Sequence, residues 1–209
     1  MKEYKLKIWE LSLLAALAVT LCIGTWAQGR QQEISSSLIR LHIIAVSDAP
    51  EEQALKLRVR DGVLEYLTPL LSDAQDPGAA QAIIRRELDN IRIAAEARSE
   101  GRPVSVTLDD EYYPTREYDS FSLPAGRYRS LRITLGEGKG HNWWCVVFPP
   151  LCVSAAEQDK ALDAMSGNDR ALITEADGYE LRFRIVELWG ELMNMIEKST
   201  SANEVTPKS

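Results

Sequence analysis

The chain has 209 residues, with 24 Lys and Arg against 31 Asp and Glu, a net charge of −7, and only three cysteines. An acidic balance of this kind excludes electrostatic steering to nucleic acid or to anionic headgroups, and points instead to a protein partner. The length suffices for one domain with a substantial core.

The first predicted element is a leader. MKEYKLK places three lysines before an uncharged, mostly apolar run from Leu11 to Ala27. Basic residues ahead of such a run hold the amino terminus in the cytoplasm and send the remainder across the membrane. Thr25-Trp26-Ala27 supplies small residues at −3 and −1 of a signal peptidase site, with cleavage before Gln28. An uncleaved signal anchor over residues 8–27 is the competing reading, and in either case this segment contacts the membrane. Cys22 lies deep in the run after bulky Leu21, so it does not mark a lipoprotein. The remainder is one charge more negative than the whole chain and keeps Cys145 and Cys152, an even count in a compartment that permits oxidation. The expected organisation is a leader over 1–27, one exported domain over 28–198 and a disordered polar tail over 199–209.

Residues 38–46, LIRLHIIAV, alternate as a strand, with Ile39, Leu41, Ile43 and Ala45 on one face and Arg40 and His42 on the other. Ile44 and Val46 make the second face apolar at its end, which predicts a central strand. In SDAPEEQ, Asp48 and Glu51 fit a capping box with Pro50 in the first turn. The helix that follows carries Leu55, Val59, Val63, Tyr66, Leu67 and Leu70 as its stripe, with Lys56, Arg58, Arg60 and Glu65 opposite. Asp76-Pro77 opens a second helix with Ile84, Leu88, Ile91 and Ala95 inward, ended by Gly101-Arg102-Pro103.

Val104, Val106 and Leu108 predict a short strand, and EYYPTREY a loop. FSLPAGRYRSLRITLGEG predicts a hairpin about Pro124-Ala125-Gly126, with Leu131, Ile133 and Leu135 on one face and Tyr128, Ser130, Arg132 and Thr134 on the other. WWCVVF is a further strand, and after Pro149-Pro150 the clearest helix is 180–197, with Ile185, Leu188, Trp189, Leu192 and Ile196 aligned. Helices early, strands in the middle and helix last give an α+β domain with a mixed or antiparallel sheet and packed helices.

GEGKGHNWWCVVFPPLC, residues 136–152, concentrates the residues that could carry chemistry. Gly136, Gly138 and Gly140 match neither the dinucleotide fingerprint nor the P-loop, and a strand follows them where a phosphate cradle needs a helix. His141 and Cys145 on one strand would stand roughly 13 Å apart, too far for a nucleophile and its base. Zinc held by His42, His141, Cys145 and Cys152 would need an unrecognised ligand spacing. No cofactor, metal or catalytic residue is expected. Trp143, Trp144, Phe148 and Leu151 read as core. Cys145 and Cys152 form either a disulfide, if the proline corner folds the chain back, or two buried thiols. An exported thiol hydrolase or redox protein built on these two cysteines is the alternative to a binding protein.

LIRLHIIAVSDAPEEQALKLRVRDGVLEYL (38–67) and LPAGRYRSLRITLGEGKGHNWWCVVFPPLC (123–152) resemble the two hallmark blocks of the stage II sporulation protein R family. The resemblance implies a non-enzymatic signal made in the forespore and exported into the space between forespore and mother cell. There it would trigger a membrane-embedded aspartic protease, stage II sporulation protein GA, which removes the inhibitory leader of the sigma-E precursor. The family carries no catalytic residues to transfer. Partner-binding candidates are therefore polar residues of the two blocks expected at the surface: Arg40, His42, Lys139, His141 and Asn142.

Overall fold

A computed structural model describes residues 7–118 and 121–151. The predicted helix over 180–197, the tail from Ser199 and Cys152 lie outside them. Helix α1 runs from Ile8 to Ser37 and starts with Glu10 accepting the Lys7 N–H at 2.8 Å. By length and composition it can cross a membrane, and its apolar side chains stand exposed from Ile8 to Trp26. The helix does not stop where the apolar run stops. The Ala27–Gln28 bond lies inside it, and Ile34 near its end is buried in the domain.

Strand β1 (Ile39–Ile44) is buried at all six positions. It lies between β5 (Gly126–Leu135), which it pairs in parallel, and β6 (Asn142–Phe148), which it pairs antiparallel. Strand β2 (Val104–Tyr113) pairs antiparallel with the whole of β5 and completes a mixed sheet in the order β2-β5-β1-β6. The fold is α+β, with helices packed on a mixed sheet. Two expectations fail here. Pro124-Ala125-Gly126 is not a hairpin turn: β4 (Ser122–Leu123) pairs with β3 (Arg116–Glu117), and β5 begins after it as an inner strand. The Glu111-Tyr112-Tyr113 part of the expected loop is strand, since β5 continues opposite it as far as Gly126.

Helix α2 (Pro50–Leu71) places Leu55, Val59, Val63 and Leu67 in the core, with Pro50 in its first turn and Glu51 and Glu52 favourable to the helix dipole. Its stripe ends at Leu71 rather than Leu70. Lys56, expected opposite the stripe, is buried. The second predicted helix is two, α3 (Pro77–Arg86) and α4 (Leu88–Glu96), broken at Glu87. Asp76 caps α3 as the sequence indicates, accepting from Ala79 N–H at 2.8 Å. At the break the Glu87 carboxylate accepts from Asn90 (2.7 Å), Arg86 (3.0 Å) and Tyr66 (2.8 Å), and these donors lower its pKa to about 2.

The sheet buries both faces, against different neighbours. Leu41, Ile43, Leu131, Ile133, Leu135, Cys145 and Val147 meet the apolar residues of α2, α3 and α4. The opposite face is covered by Ile34 and Leu38 with Tyr113, Phe121, Leu123, Tyr128, Val146 and Leu151. Trp143 packs at the margin of the first cluster and Trp144 at that of the second, so both indoles are half-buried rather than fully enclosed.

Candidate functional site

The β5–β6 connection folds back onto the segment between β1 and α2, which brings the two blocks together at one end of the sheet. Gly136 (φ +56°) and Gly138 (φ +62°) take left-handed conformations that other residues adopt only with strain. Gly140 serves a different purpose. A Cβ there would lie 2.3 Å from the Ser47 carbonyl oxygen, so only glycine lets the strands of chain approach this closely. The contact is made by backbone: Gly140 N–H donates to Ala45 O at 2.9 Å and Lys139 N–H to Val46 O at 3.3 Å.

Side chains close the clasp. Asp48 accepts the His141 N–H at 2.6 Å and its Oδ1 lies 2.5 Å from His141 Nδ1. It caps nothing: the N-cap of α2 is Ala49, without a side-chain bond, and the expected capping box is not formed. Behind it, Gln53 donates to Ser47 O at 2.8 Å. Lys56 Nζ donates to Gln53 Oε1 at 2.6 Å and to His141 O at 2.9 Å. Burial pulls the Lys56 ammonium below its ordinary pKa, while the nearby Asp48 charge opposes that shift. Lys139, paired with Glu137, and His141 project into solvent, their side chains 75% and 76% exposed. Asn142 is also exposed.

Arg40 and His42 do not join this surface. The expectation that they face solvent is overturned: they are 0% and 3% exposed, because Ile34 and Leu38 at the end of α1, together with Tyr113, Tyr118, Phe121, Leu123 and Tyr128, cover that side of β1. His42 Nδ1 lies 2.9 Å from Glu111 Oε2 and Nε2 lies 3.0 Å from Asn142 Oδ1, while the ring stacks on Trp144 with centroids 3.7 Å apart. Ser130 Oγ donates to Glu111 Oε2 at 2.9 Å and shares a 2.6 Å bond with Tyr113. The result is a polar strap across all four strands, from Glu111 on β2 through Ser130 and His42 to Asn142 on β6. Burial pushes the Glu111 carboxyl up, but His42, Ser130 and Arg132 outweigh it and the net pKa is lowered. With both ring nitrogens engaged, His42 has none free to serve a nucleophile as base. Asn142, bonded to His42 and adjoining His141 in the chain, links strap and clasp.

Cys145 lies 7% exposed under the helices, on the face of β6 opposite Trp144. Cys152, its partner in one of the two expected arrangements, lies outside the described residues. Among the described residues no group of three or more His, Cys, Asp or Glu is placed to hold a metal ion. Sequence reading missed Lys56, Gln53, Glu111 and Ser130. Lys56 could have been found from its position: one residue after Leu55, it borders the stripe rather than opposing it.

Residues 35–158, which include strap and clasp, match the family described as stage II sporulation protein R (spore_II_R). The chain is also 31% identical to the stage II sporulation protein R of Bacillus subtilis (strain 168), over 90% of this chain and 96% of that relative. No solved structure matches it. The shared span reaches from the end of α1 through β6, so the clasp and the fold that supports it fall within what is shared: the chain belongs to the stage II sporulation protein R family, a family of sporulation proteins.

Proposed function

We propose that this protein is a non-enzymatic signal, exported across the forespore membrane, that activates the membrane-embedded aspartic protease stage II sporulation protein GA by direct contact, so that the sigma-E precursor is processed in the mother cell. The observation that carries this reading is the clasp. It joins two segments far apart in the chain, 45–48 and 136–142, into one fixed exposed surface presenting Asp48, Lys139, His141 and Asn142. A surface tied down by a buried lysine and a backbone ladder loses little conformational entropy on binding, which suits recognition. The basic flank and apolar span of α1 support export and membrane contact.

The thiols have structural work in this reading. Cys145 sits in the helix-side cluster, and we propose that it pairs with Cys152 beyond the proline corner. The experiment is co-isolation of the full-length chain with the protease's exposed domain, together with an assay of sigma-E precursor processing. The double variant Lys139→Ala/His141→Ala should keep its melting temperature and lose both capture and processing. If it retained both, the clasp would not be the contact surface. A folded Cys145→Ser protein that fails to signal while Cys152→Ser signals normally would mark a nucleophile and favour an exported thiol hydrolase or redox protein.

A further inference from the structure

Arg40 is fully buried, yet among the described residues only one of its nitrogens has a partner: Nη2 donates to Tyr118 OH at 2.8 Å. Its Nε and Nη1 are sealed from solvent with no acceptor among the described residues. The guanidinium carbon lies 4.2 Å from the ring centre of Tyr113 and 5.0 Å from that of Tyr128. Those π faces offset part of the desolvation of the cation, but they accept nothing from its in-plane N–H groups. Arg116 approaches the same aromatic group from elsewhere. Its guanidinium carbon stands 5.5 Å from the Trp144 ring, and its Nε is likewise buried without an acceptor. Trp144 in turn packs on Tyr113 with centroids 4.6 Å apart, and its carbonyl accepts from Tyr118 OH at 3.4 Å. Glu111, the carboxylate of the strap, is already committed to His42, Ser130 and Arg132. Among the described residues neither Arg40 nor Arg116 has a carboxylate within ion-pair distance.

A buried cation without a counter-charge is the costly case in protein interiors, and an unpaired buried donor compounds it. We propose that Arg40, with Arg116 in support, holds a small monovalent inorganic anion of the halide class in the plane of its guanidinium, at Nε and Nη1, rather than over the ring faces. A water molecule would supply an acceptor but no charge. A halide supplies both, needs only donors around it, and sheds its hydration more readily than a dianion would in an aromatic surround. This site is independent of the protease contact, since it lies in the interior on the strap side of the sheet.

The test is thermal unfolding of the full-length chain in neutral detergent, followed by near-ultraviolet circular dichroism. Chloride, and then bromide, replaces gluconate at constant ionic strength. The melting temperature should climb with halide concentration as mass action requires. Arg116→Gln, a change at a half-buried residue, should weaken the apparent halide affinity at least ~10-fold, the equivalent of one charge-assisted hydrogen bond. Arg40→Met should abolish the halide dependence. Crystals grown in bromide should show anomalous density within hydrogen-bond reach of Arg40 Nε and Nη1. A melting temperature indifferent to halide, or one that responds equally in wild type and Arg116→Gln, would overturn the proposal. So would bromide found elsewhere only. Should Arg40→Met fail to fold, Arg116→Gln and the bromide position still decide.

Discussion

On the helix side of the sheet, Leu41, Ile43, Leu131, Ile133 and Leu135 have no exposed area and meet apolar residues of α2, α3 and α4. On the other side the sheet turns inward Arg40, His42, Tyr113 and Ser130, also buried, each held by a hydrogen bond to a particular partner. Equal burial thus rests on different physics. The first face is stabilised by area removed from water and tolerates any well-shaped apolar residue. The second is directional: its groups are stable only with their partners, and a lost partner leaves a buried polar atom unsatisfied. That face specifies strand register, because Glu111, Ser130, His42 and Asn142 meet only in the observed pairing.

The largest effect should come from the apolar side. Ile43→Ala removes a fully buried side chain between β5 and β6 and should cost about 2–5 kcal/mol, read from the denaturation midpoint of the full-length chain. Ile43→Val should cost only about 0.5–1.5 kcal/mol, the graded response expected where shape and area govern. If Val and Ala substitutions were equally damaging, the two faces would not differ in kind.

Ser130→Ala is the matching test of the polar side. One hydroxyl is removed, yet both Tyr113 OH and Glu111 lose a partner, so the cost should be about 1–3 kcal/mol despite the small change in volume. The double change Ser130→Ala with Tyr113→Phe should recover part of that loss, since it removes the orphaned hydroxyl as well. Strict additivity in this cycle would show that the strap is a set of independent contacts.

This contrast also explains what the sequence disclosed. The period-two alternation of Leu131, Ile133 and Leu135 is local, and it marked the apolar face correctly. The same rule assigned Arg40 and His42 to solvent, because alternation has no means of seeing partners 78 and 69 residues away on Tyr118 and Glu111. Glu111 was further hidden in a stretch whose Pro and charges read as loop, although β5 extends far enough to pair with it. The Pro-Ala-Gly signal likewise suggested a hairpin, whereas the parallel pairing of β1 with β5 made this segment an entry to an inner strand. At the clasp, the glycines were visible but not their reason, since the Ser47 carbonyl that demands Gly140 is distant in the chain.

Gly140→Ala asks whether the clasp depends on either face. The added methyl group would collide with backbone at Ser47, and overpacking of this kind costs about 1–3 kcal/mol when neighbours must shift. The clash should separate the two loops and expose Lys56, while Ile43 and the strap stay protected. Hydrogen exchange should therefore quicken at the amides of Lys139, Gly140 and His141 and remain slow in β1 and β5. Faster exchange throughout the sheet would make the clasp part of the core rather than a surface carried by it.

The smallest effect, and the one most specific to the polar face, is acid sensitivity. Glu111 has a folded-state pKa below its ordinary value, so the unfolded chain takes up its proton first as pH falls. Its contribution is therefore complete above the ordinary carboxyl range and is lost as pH drops through the folded-state value. Glu87, at the break between α3 and α4, behaves with the same sign, its loss extending down to about pH 2. Glu111→Gln should lower stability near neutrality and flatten its decline from about pH 5 downward, where the wild-type carboxylate begins to release its partners. Glu87→Gln should flatten the decline as well, but with its residual slope reaching lower pH. Ile43→Ala should displace the whole curve downward without changing its shape, because Ile43 belongs to the apolar cluster on the helix side of β1 and acts through packing. Denaturation midpoints measured every half pH unit would separate these cases: a parallel displacement for Glu111→Gln would mean that the carboxylate acts through packing alone, and the directional character assigned to that face would fail.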